Sequence, residues 1–99
     1  SLVMPEYWIQ AVRYVSPNGP IEVVLAAAYD AGRHSLAAPA TLARDTVIHW
    51  LKGGVTYYTS HHQNGWHKGV EVKVTEDGRF ITTAPNGWVY DNLESLPRF

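Results

Sequence analysis

Runs of β-branched and aromatic residues alternate with turn signals along most of the chain. Residues 7–15 (YWIQAVRYV) are rich in residues that favour strands, and they end at the turn sequence SPNGP. After that turn, residues 21–28 show the period of two that is typical of a strand with one face buried more fully than the other. The pattern predicts that these two strands pair as a hairpin.

The next region shows no sustained period. Residues 30–43 (DAGRHSLAAPATLA) include Gly32 and Pro39, which interrupt regular structure. We therefore predict a loop here, with a short extended piece near residues 34–36.

A short helix is predicted after this loop. Val47 and Leu51 fall on one face of it. Thr41 or Asp45 can supply the N-cap, because both side chains carry an oxygen that accepts a backbone N–H bond. The sequence Lys-Gly-Gly at residues 52–54 places a cation and two helix-ending glycines at the C-terminus.

Three more strands are predicted at residues 55–60, 70–75 and 79–83. In the middle one, valines alternate with Glu and Lys, and the Asp-Gly pair at residues 77–78 favours a two-residue hairpin to the last strand. The element order is ββαβββ. The predicted fold is α+β, with a mostly antiparallel sheet of about five strands and one short helix packed on a face.

The length and composition indicate one small globular domain. The chain has 99 residues, of which 45% are hydrophobic and 17% charged, a balance that favours a folded core over disorder. We expect residues 4–99 to form the domain. Residues 1–3 precede Met4 and are interpreted as a remnant of expression cloning.

Charge and cysteine content exclude several functions. The formal net charge of −1 argues against nucleic acid as the main partner, because a basic field is needed to bind phosphates. No cysteine is present, which excludes disulfides and thiolate metal sites and fits a reducing compartment. No apolar stretch reaches the roughly 18 residues of a membrane span. We expect a cytoplasmic protein that has no membrane partner and no cofactor.

Two motifs in the C-terminal half carry a family resemblance. HWLKGGVTYYT at residues 49–59 is followed by VEVKVTEDGRFITTAPNGWVYDNLESLP at residues 70–97. This arrangement resembles the small bacterial family known as domain of unknown function 3892, over about residues 46–97. The resemblance rests mainly on Thr83, Pro85, Gly87, Asn92, Leu93, Leu96 and Pro97. The sequence departs from the family pattern at Asn86, where an acidic residue is expected, and in the loop of residues 61–67. The resemblance implies no catalytic residues.

The loop HHQNGWHKG at residues 61–69 holds the first candidate site. His61, His62 and His67 are potential ligands for a divalent metal, since neutral imidazole binds zinc and nickel. Adjacent residues on an extended chain point to opposite faces, so His61 and His62 are not expected to share one ion. No cysteine or nearby carboxylate completes a four-ligand set. We therefore predict no metal site, and these three histidines are the candidate ligands if there is one.

Aromatic residues after Asn-Gly turns form the second candidate. Trp66 and Trp88 each follow such a turn, where a large aromatic side chain can anchor a protein contact. Packing across strands or under the C-terminal tail is the alternative role in so small a protein. Tyr57 and Tyr58 must lie on opposite faces of their strand. The candidate binding residues are Trp66, His67, Trp88, Tyr90 and Asp91.

The C-terminal segment admits two interpretations. Leu93 and Leu96 are three residues apart and are predicted to contact the core in one helical turn, which Pro97 ends. The tail then clasps a sheet edge or one end of the core. Asp91 and Asn92 could instead act as a general base and an orienting amide, which requires a proton donor and a pocket that excludes water.

Three classes of function stay open. The leading hypothesis is a non-catalytic protein-interaction or self-association module that uses strand edges and the surface around Trp66, Trp88 and Tyr90. The second is a small enzyme or metal-dependent protein built on the three histidines with Asp91. The third is a protein that binds a small ligand or a nucleotide by stacking it on Tyr or Trp, near the segment 61–67.

Overall fold

The computed structural model describes residues 5–83 and 93–99. This part of the chain contains seven strands, one α-helix and, at Leu93–Ser95, a single 3-10 turn. The strands are β1 (Glu6–Tyr14), β2 (Ile21–Asp30), β3 (Ser35–Leu36), β4 (Ala40–Ala43), β5 (Thr56–His62), β6 (Trp66–Val74) and β7 (Ile81–Thr83). The helix α1 is Arg44–Lys52. The interpretation of residues 1–3 concerns a segment outside the described residues and stays a prediction.

The sheet is mixed. Its strand order is β3-β2-β1-β5-β6-β7, and β4 pairs with β2 on the same side as β3. Most neighbours are antiparallel, but β1 and β5 run parallel, with Glu6 paired to Thr56 and Ile9 to Thr59. The α+β class, the mostly antiparallel sheet and the helix on it are confirmed.

The prediction of five strands in the order ββαβββ with antiparallel neighbours was wrong. The segment predicted as a loop contains β3, which confirms the short extended piece expected near residues 34–36, and β4, which was not predicted. With two and four residues, both strands are too short to show a period. The parallel pairing follows from the connections. β1 and β4 both pair antiparallel with β2 and so run in the same direction, and the α1 crossover from β4 lets β5 keep that direction.

The hairpin of β1 and β2 is confirmed, and it contains an irregularity that matters for the site. The strands pair from Glu6 with Tyr29 to Tyr14 with Ile21. The register shifts between Ile9 and Ala11, so that Gln10 occupies a β-bulge. A bulge changes the direction of a side chain and bends its strand.

The helix packs on one face of the sheet. Val47 and Ile48 are buried in a core that includes Ile9, Val24 and Tyr57. Side chains that alternate with these core residues therefore project from the opposite face, which is called the open face below.

The two ends of α1 differ in how well they were predicted. Ala43 is the N-cap and no side chain bonds to the free N–H groups, so the assignment of Thr41 or Asp45 as the cap was wrong. Thr41 is held in β4 opposite Leu25, and Asp45 already lies in the first helical turn. The predicted glycine stop is confirmed, since Gly54 has a φ of 102°, a conformation that favours glycine.

The hairpin of β6 and β7 is confirmed with a longer loop than predicted. Val74 pairs with Ile81, and the Thr75 N–H donates to the Phe80 carbonyl, so Asp77 and Gly78 are not a two-residue turn. The Thr75 and Asp77 side chains bond to each other and stabilise this wider loop.

The end of the chain is attached to the core as predicted. Leu93 and Leu96 are both buried in the main hydrophobic cluster. The Val12 N–H donates to the Pro97 carbonyl at 2.9 Å, and the Phe99 N–H donates to the Val12 carbonyl at 3.2 Å. The tail therefore covers the part of β1 that lies beyond its pairing with β5. In the described part of the chain no helix is long and apolar enough to cross a membrane.

Candidate functional site

The hairpin of β5 and β6 carries the three candidate histidines at its tip. Its turn is short because Asn64 and Gly65 both adopt positive φ, at 54° and 112°. The strands therefore reach further than predicted, and the histidines lie in paired strands rather than in a loop. His61 pairs with His67, and His62 pairs with Trp66.

This pairing separates the potential metal ligands. The rings of His61 and His67 stack with their centroids 5.3 Å apart, whereas the ring of His62 contacts Trp66 at 5.1 Å. Neighbouring strand residues point to opposite faces, so His62 does not join the other two. The described residues contain no group of three or more His, Cys, Asp or Glu that could hold a metal ion. Two imidazoles do not complete a tetrahedral site.

Two stacked aromatic rings form the floor of the open face. Trp8 lies between Tyr7 and Ile9, which both pack toward the helix, so Trp8 points away from it. Its ring stacks on Tyr29 at a centroid distance of 4.6 Å. The Trp8 indole N–H donates to the Glu6 carboxylate at 2.7 Å, which fixes the ring in place.

A cavity of about 490 Å³ lies over this floor, and we call it the Tyr29 cavity. It is bordered by β1, β2, the segment around β3 and the start of β6. Its lining includes Trp8, Gln10, Tyr29, His34, Ser35 and Trp66. Among the described residues that line it, none is Asp, Glu, Lys or Arg, and they present aromatic, imidazole and uncharged polar groups to the cavity.

The turn after β2 places His34 at this cavity. Asp30 accepts the N–H groups of Gly32 and Arg33, which closes the turn. His34 then adopts a φ of 51°, which is uncommon for a residue other than glycine, and its Nδ1 lies 3.3 Å from the Tyr29 hydroxyl. Sequence reasoning treated residues 30, 33 and 34 as a surface loop and missed this position of His34.

A second cavity of about 310 Å³ lies between the hairpin tip and the C-terminal turn, and we call it the Leu96 cavity. Its lining includes Gln10, Ser60, His61, His62, Trp66 and Leu96. Gln10 and Trp66 line both cavities, so the two cavities meet at this pair. Trp66 is 37% exposed and Gln10 only 9%, which makes Trp66 the outer and Gln10 the inner member of the boundary.

Charged groups near the open face are paired with each other. The Lys68 ammonium lies 3.7 Å from the Glu6 carboxylate and 4.4 Å from the centre of the Tyr58 ring. Tyr58 therefore belongs to the open face, whereas Tyr57 is fully buried on the helix side, which confirms their predicted opposite orientations.

Among the described residues, the groups with clearly shifted pKa values are Tyr57 and Asp77, and both lie outside the two cavities. Burial raises the pKa of Tyr57 to about 12, and the nearby Tyr7 adds to the rise. The hydrogen bond from Thr75, followed by the Arg79 N–H, lowers the pKa of Asp77 in the β6–β7 loop. A shifted pKa inside a cleft is a common sign of catalysis. Here the shifted pKa values belong to Tyr57 in the core and Asp77 in a loop, so they do not mark a catalytic group in either cavity.

The candidate residues from the sequence have different outcomes. Trp66 lines both cavities, while His67 lines neither, and its Nε2 lies 2.8 Å from the Gln63 carbonyl. Trp88, Tyr90 and Asp91 lie outside the described residues, so their roles stay predictions. Sequence reasoning missed Gln10, although a polar residue inside the apolar run WIQAV was a usable signal.

These features define a class: a small α+β domain that has a mixed sheet with a helix on one face, a cavity over the other face, and a second cavity that joins it at the tip of the β5–β6 hairpin. A family model described as "Protein of unknown function (DUF3892)" matches residues 8–97. The chain belongs to this family, which confirms the resemblance carried by its C-terminal motifs. Comparisons with curated proteins and with solved structures gave no match.

Proposed function

We propose that the protein is a non-catalytic module that binds a short segment of another protein on the open face. The observation that carries this proposal is the exposed ring of Trp66 between two adjoining cavities, with Gln10 beneath it. An aromatic side chain next to pockets typically contributes a large share of the binding energy at protein interfaces, because it buries much area while few rotors lose freedom.

The serine nearest to the histidines supports binding rather than catalysis. Ser60 is 1% exposed, and its hydroxyl donates a 2.7 Å hydrogen bond to the Ile9 carbonyl. A nucleophilic serine needs an accessible oxygen and a base that takes its proton. The Ser60 hydroxyl is instead used to join β5 to β1.

A small ligand is the second candidate. The Tyr29 cavity, at about 490 Å³, is of the size that small-molecule sites have, roughly 300–1,000 Å³. Self-association through the same surface is a further form of the protein-interaction hypothesis.

The proposal also includes a cytoplasmic location and a bacterial origin. The absence of cysteine supports the location, and the family resemblance supports the origin.

Panning of displayed random peptides on the immobilised protein tests the proposal. We expect peptides to be enriched on the wild type and on a Trp50→Ala variant, but not on Trp66→Ala. Trp50 is a matched control because it is an exposed tryptophan, 48% accessible, on α1 and outside both cavities. Enrichment on none of the proteins, or equal enrichment on Trp66→Ala, contradicts the proposal.

A further inference from the structure

We infer that Asn64, at the tip of the β5–β6 hairpin, is a site of spontaneous chemical modification, at which the Gly65 amide nitrogen displaces ammonia from the Asn64 side chain. The inference goes beyond the proposed function and does not depend on it. It rests on a comparison of dipeptides in which Asn or Asp precedes Gly. The structure describes three of these dipeptides: Asn18-Gly19, Asn64-Gly65 and Asp77-Gly78.

The reaction joins neighbouring groups of one dipeptide and consumes only water. The Gly65 nitrogen loses its proton to solvent and bonds to Cγ of Asn64, while the bond from Cγ to the side-chain nitrogen breaks and ammonia leaves with a proton from solvent. Water then adds to one of the two carbonyls of the resulting succinimide ring. Addition at Cγ gives aspartate, and addition at the backbone carbonyl gives isoaspartate. Asn is thermolabile, and glycine has no side chain to hinder the attacking nitrogen.

The N–H group of the glycine determines which dipeptide can react. The nitrogen attacks after losing its proton, so a hydrogen bond that this N–H donates must first open. The Gly19 N–H donates to the Ser16 carbonyl at 3.0 Å, and the Gly78 N–H donates to the Thr75 carbonyl at 2.8 Å. These two dipeptides are therefore protected by their own turns.

The Gly65 N–H is not used in this way. It has no hydrogen-bond partner in the described part of the chain, because the tip is closed by the Gln63 N–H, which donates to the Gly65 carbonyl at 2.8 Å. Asn64 and Gly65 are both exposed. Apart from chain neighbours, no described atom lies within 4 Å of the position that a Cβ of residue 65 would take. The Asn64 side chain thus has room to turn onto the Gly65 nitrogen.

Asp77 is held back by its side chain as well. Its carboxylate accepts a hydrogen bond from the Thr75 hydroxyl and another from the Arg79 N–H at 3.1 Å. These two bonds lower the pKa of Asp77 and keep it ionised, and an ionised carboxylate is a poor target for a nucleophile. Asn64 is therefore the reactive member of the three.

Modification changes the hairpin tip in two ways. Either product adds a negative charge beside the His62–Trp66 pair, which is the last strand pair before the tip. Isoaspartate also routes the backbone through Cβ and Cγ, which lengthens the tip by one atom. The tip is tight because Asn64 and Gly65 both have positive φ, so a longer backbone here displaces Trp66.

Peptide mapping after incubation in mildly alkaline buffer tests the inference. Trypsin cleaves after Lys and Arg, so it releases Asn18 in the peptide 14–33 and Asn64 in the peptide 53–68, and mass spectrometry follows each conversion separately. In the folded protein we expect the peptide 53–68 to convert at least about fivefold faster, the factor that corresponds to one hydrogen bond of ordinary net strength. In guanidinium both peptides are expected to convert at similar rates, since both contain Asn-Gly.

Asn64→Asp is the matched variant. It keeps a residue that tolerates positive φ but has no ammonia to lose, so its peptide 53–68 is expected to show no gain in mass. A gain that persists in this variant overturns the inference, because the reaction then lies elsewhere in the peptide. Equal rates for the peptides 14–33 and 53–68 in the folded wild type overturn it too.

The isoaspartate form, separated by chromatography, tests the effect on the tip. We expect its Trp66 indole NMR resonance to differ from that of the unmodified protein. The resonance of Trp50, on the helix, is expected to stay unchanged and serves as the control. An unchanged Trp66 resonance would overturn the displacement of this residue.

Discussion

Two buried hydroxyls show how single residues set the stability of the core. Tyr57 is fully buried, and its hydroxyl has no hydrogen-bond partner in the described part of the chain. Its ring stacks on Tyr7 at 5.1 Å, so packing rather than hydrogen bonding holds it there. Ser60 is also buried, but its hydroxyl bonds to the Ile9 carbonyl. Both residues lie on β5, but only the Ser60 hydroxyl has a hydrogen-bond partner among the described residues.

Removing these two hydroxyls is expected to have opposite effects. Tyr57→Phe eliminates an unsatisfied buried polar group and should raise the free energy of unfolding by about 1 kcal/mol. Ser60→Ala leaves the Ile9 carbonyl without its donor and should lower it by about 1–2 kcal/mol. Urea denaturation of both variants beside the wild type checks this. A loss of stability in Tyr57→Phe as large as that in Ser60→Ala would show that the Tyr57 hydroxyl is bonded.

Tyr57 also predicts how stability depends on alkaline pH. Its folded pKa is raised from 10.0 to about 12, first by burial and then by Tyr7. An unfolded tyrosine ionises near pH 10, so above that pH the unfolded state loses a proton that the folded state keeps. The stabilising contribution is complete below pH 10 and is lost as the pH rises toward 12.

The matched measurement is urea denaturation of the wild type and Tyr57→Phe between about pH 9 and pH 12. We expect the free energy of unfolding of the wild type to fall by up to about 2–3 kcal/mol more than that of Tyr57→Phe over this range. Curves that stay parallel would mean that Tyr57 keeps an ordinary pKa in the folded protein.

At the scale of elements, the predictable features were the local ones. The turns SPNGP and Asp77-Gly78 lie beside the strands they join, so their two hairpins could be predicted from short windows of sequence, and Asn64-Gly65 carries the same local signal for the β5–β6 hairpin. The parallel pairing of β1 with β5 joins distant segments, and no local signal encodes it. It depends on how α1 and the strands bury a common core.

The candidate site likewise contains one feature that could be predicted from local sequence and others that could not. Trp66 could be predicted because a large aromatic residue follows a tight turn, but the cavities beside it could not. They combine Gln10 from β1, Tyr29 from β2 and His34 from the next turn, which come together only through the strand order. The β-bulge at Gln10 likewise results from pairing with β2 and has no signature in β1 alone.

The N-terminus of α1 offers a test at this scale. Ala43 has the extended conformation of an N-cap, with φ −67° and ψ 151°, but no side-chain oxygen to accept an N–H bond. Ala43→Ser supplies that oxygen at an exposed position and should stabilise the protein by about 0.5–2 kcal/mol. Thermal or urea unfolding measures the change. Thr41→Val is the control and should leave the free energy of unfolding nearly unchanged, since Thr41 is not the cap. If Thr41→Val destabilises the protein by more than Ala43→Ser stabilises it, Thr41 is the capping residue.

At the scale of the whole molecule, the exposed hydrophobic residues are dispersed. In the described part of the chain the large ones are Val15, Trp50, Trp66 and Phe99, which belong to the first turn, the helix, β6 and the tail. Isolated exposed apolar residues are normal on a monomer, whereas a contiguous exposed apolar patch marks a surface that binds another protein. If the open face binds a short segment of another protein, as proposed, we expect the free protein to be a monomer.

Light scattering with tryptophan emission tests this expectation directly. We expect a monomer of 11.1 kDa at micromolar concentration, and a blue shift of the emission when a peptide enriched by panning covers the Trp66 ring. A dimer that Trp66→Ala dissociates and Trp50→Ala leaves intact would mean that the open face binds a second copy of the chain. A dimer that survives both substitutions would use another surface, and the junction at Gln10 and Trp66 would still be accessible to a segment of another protein.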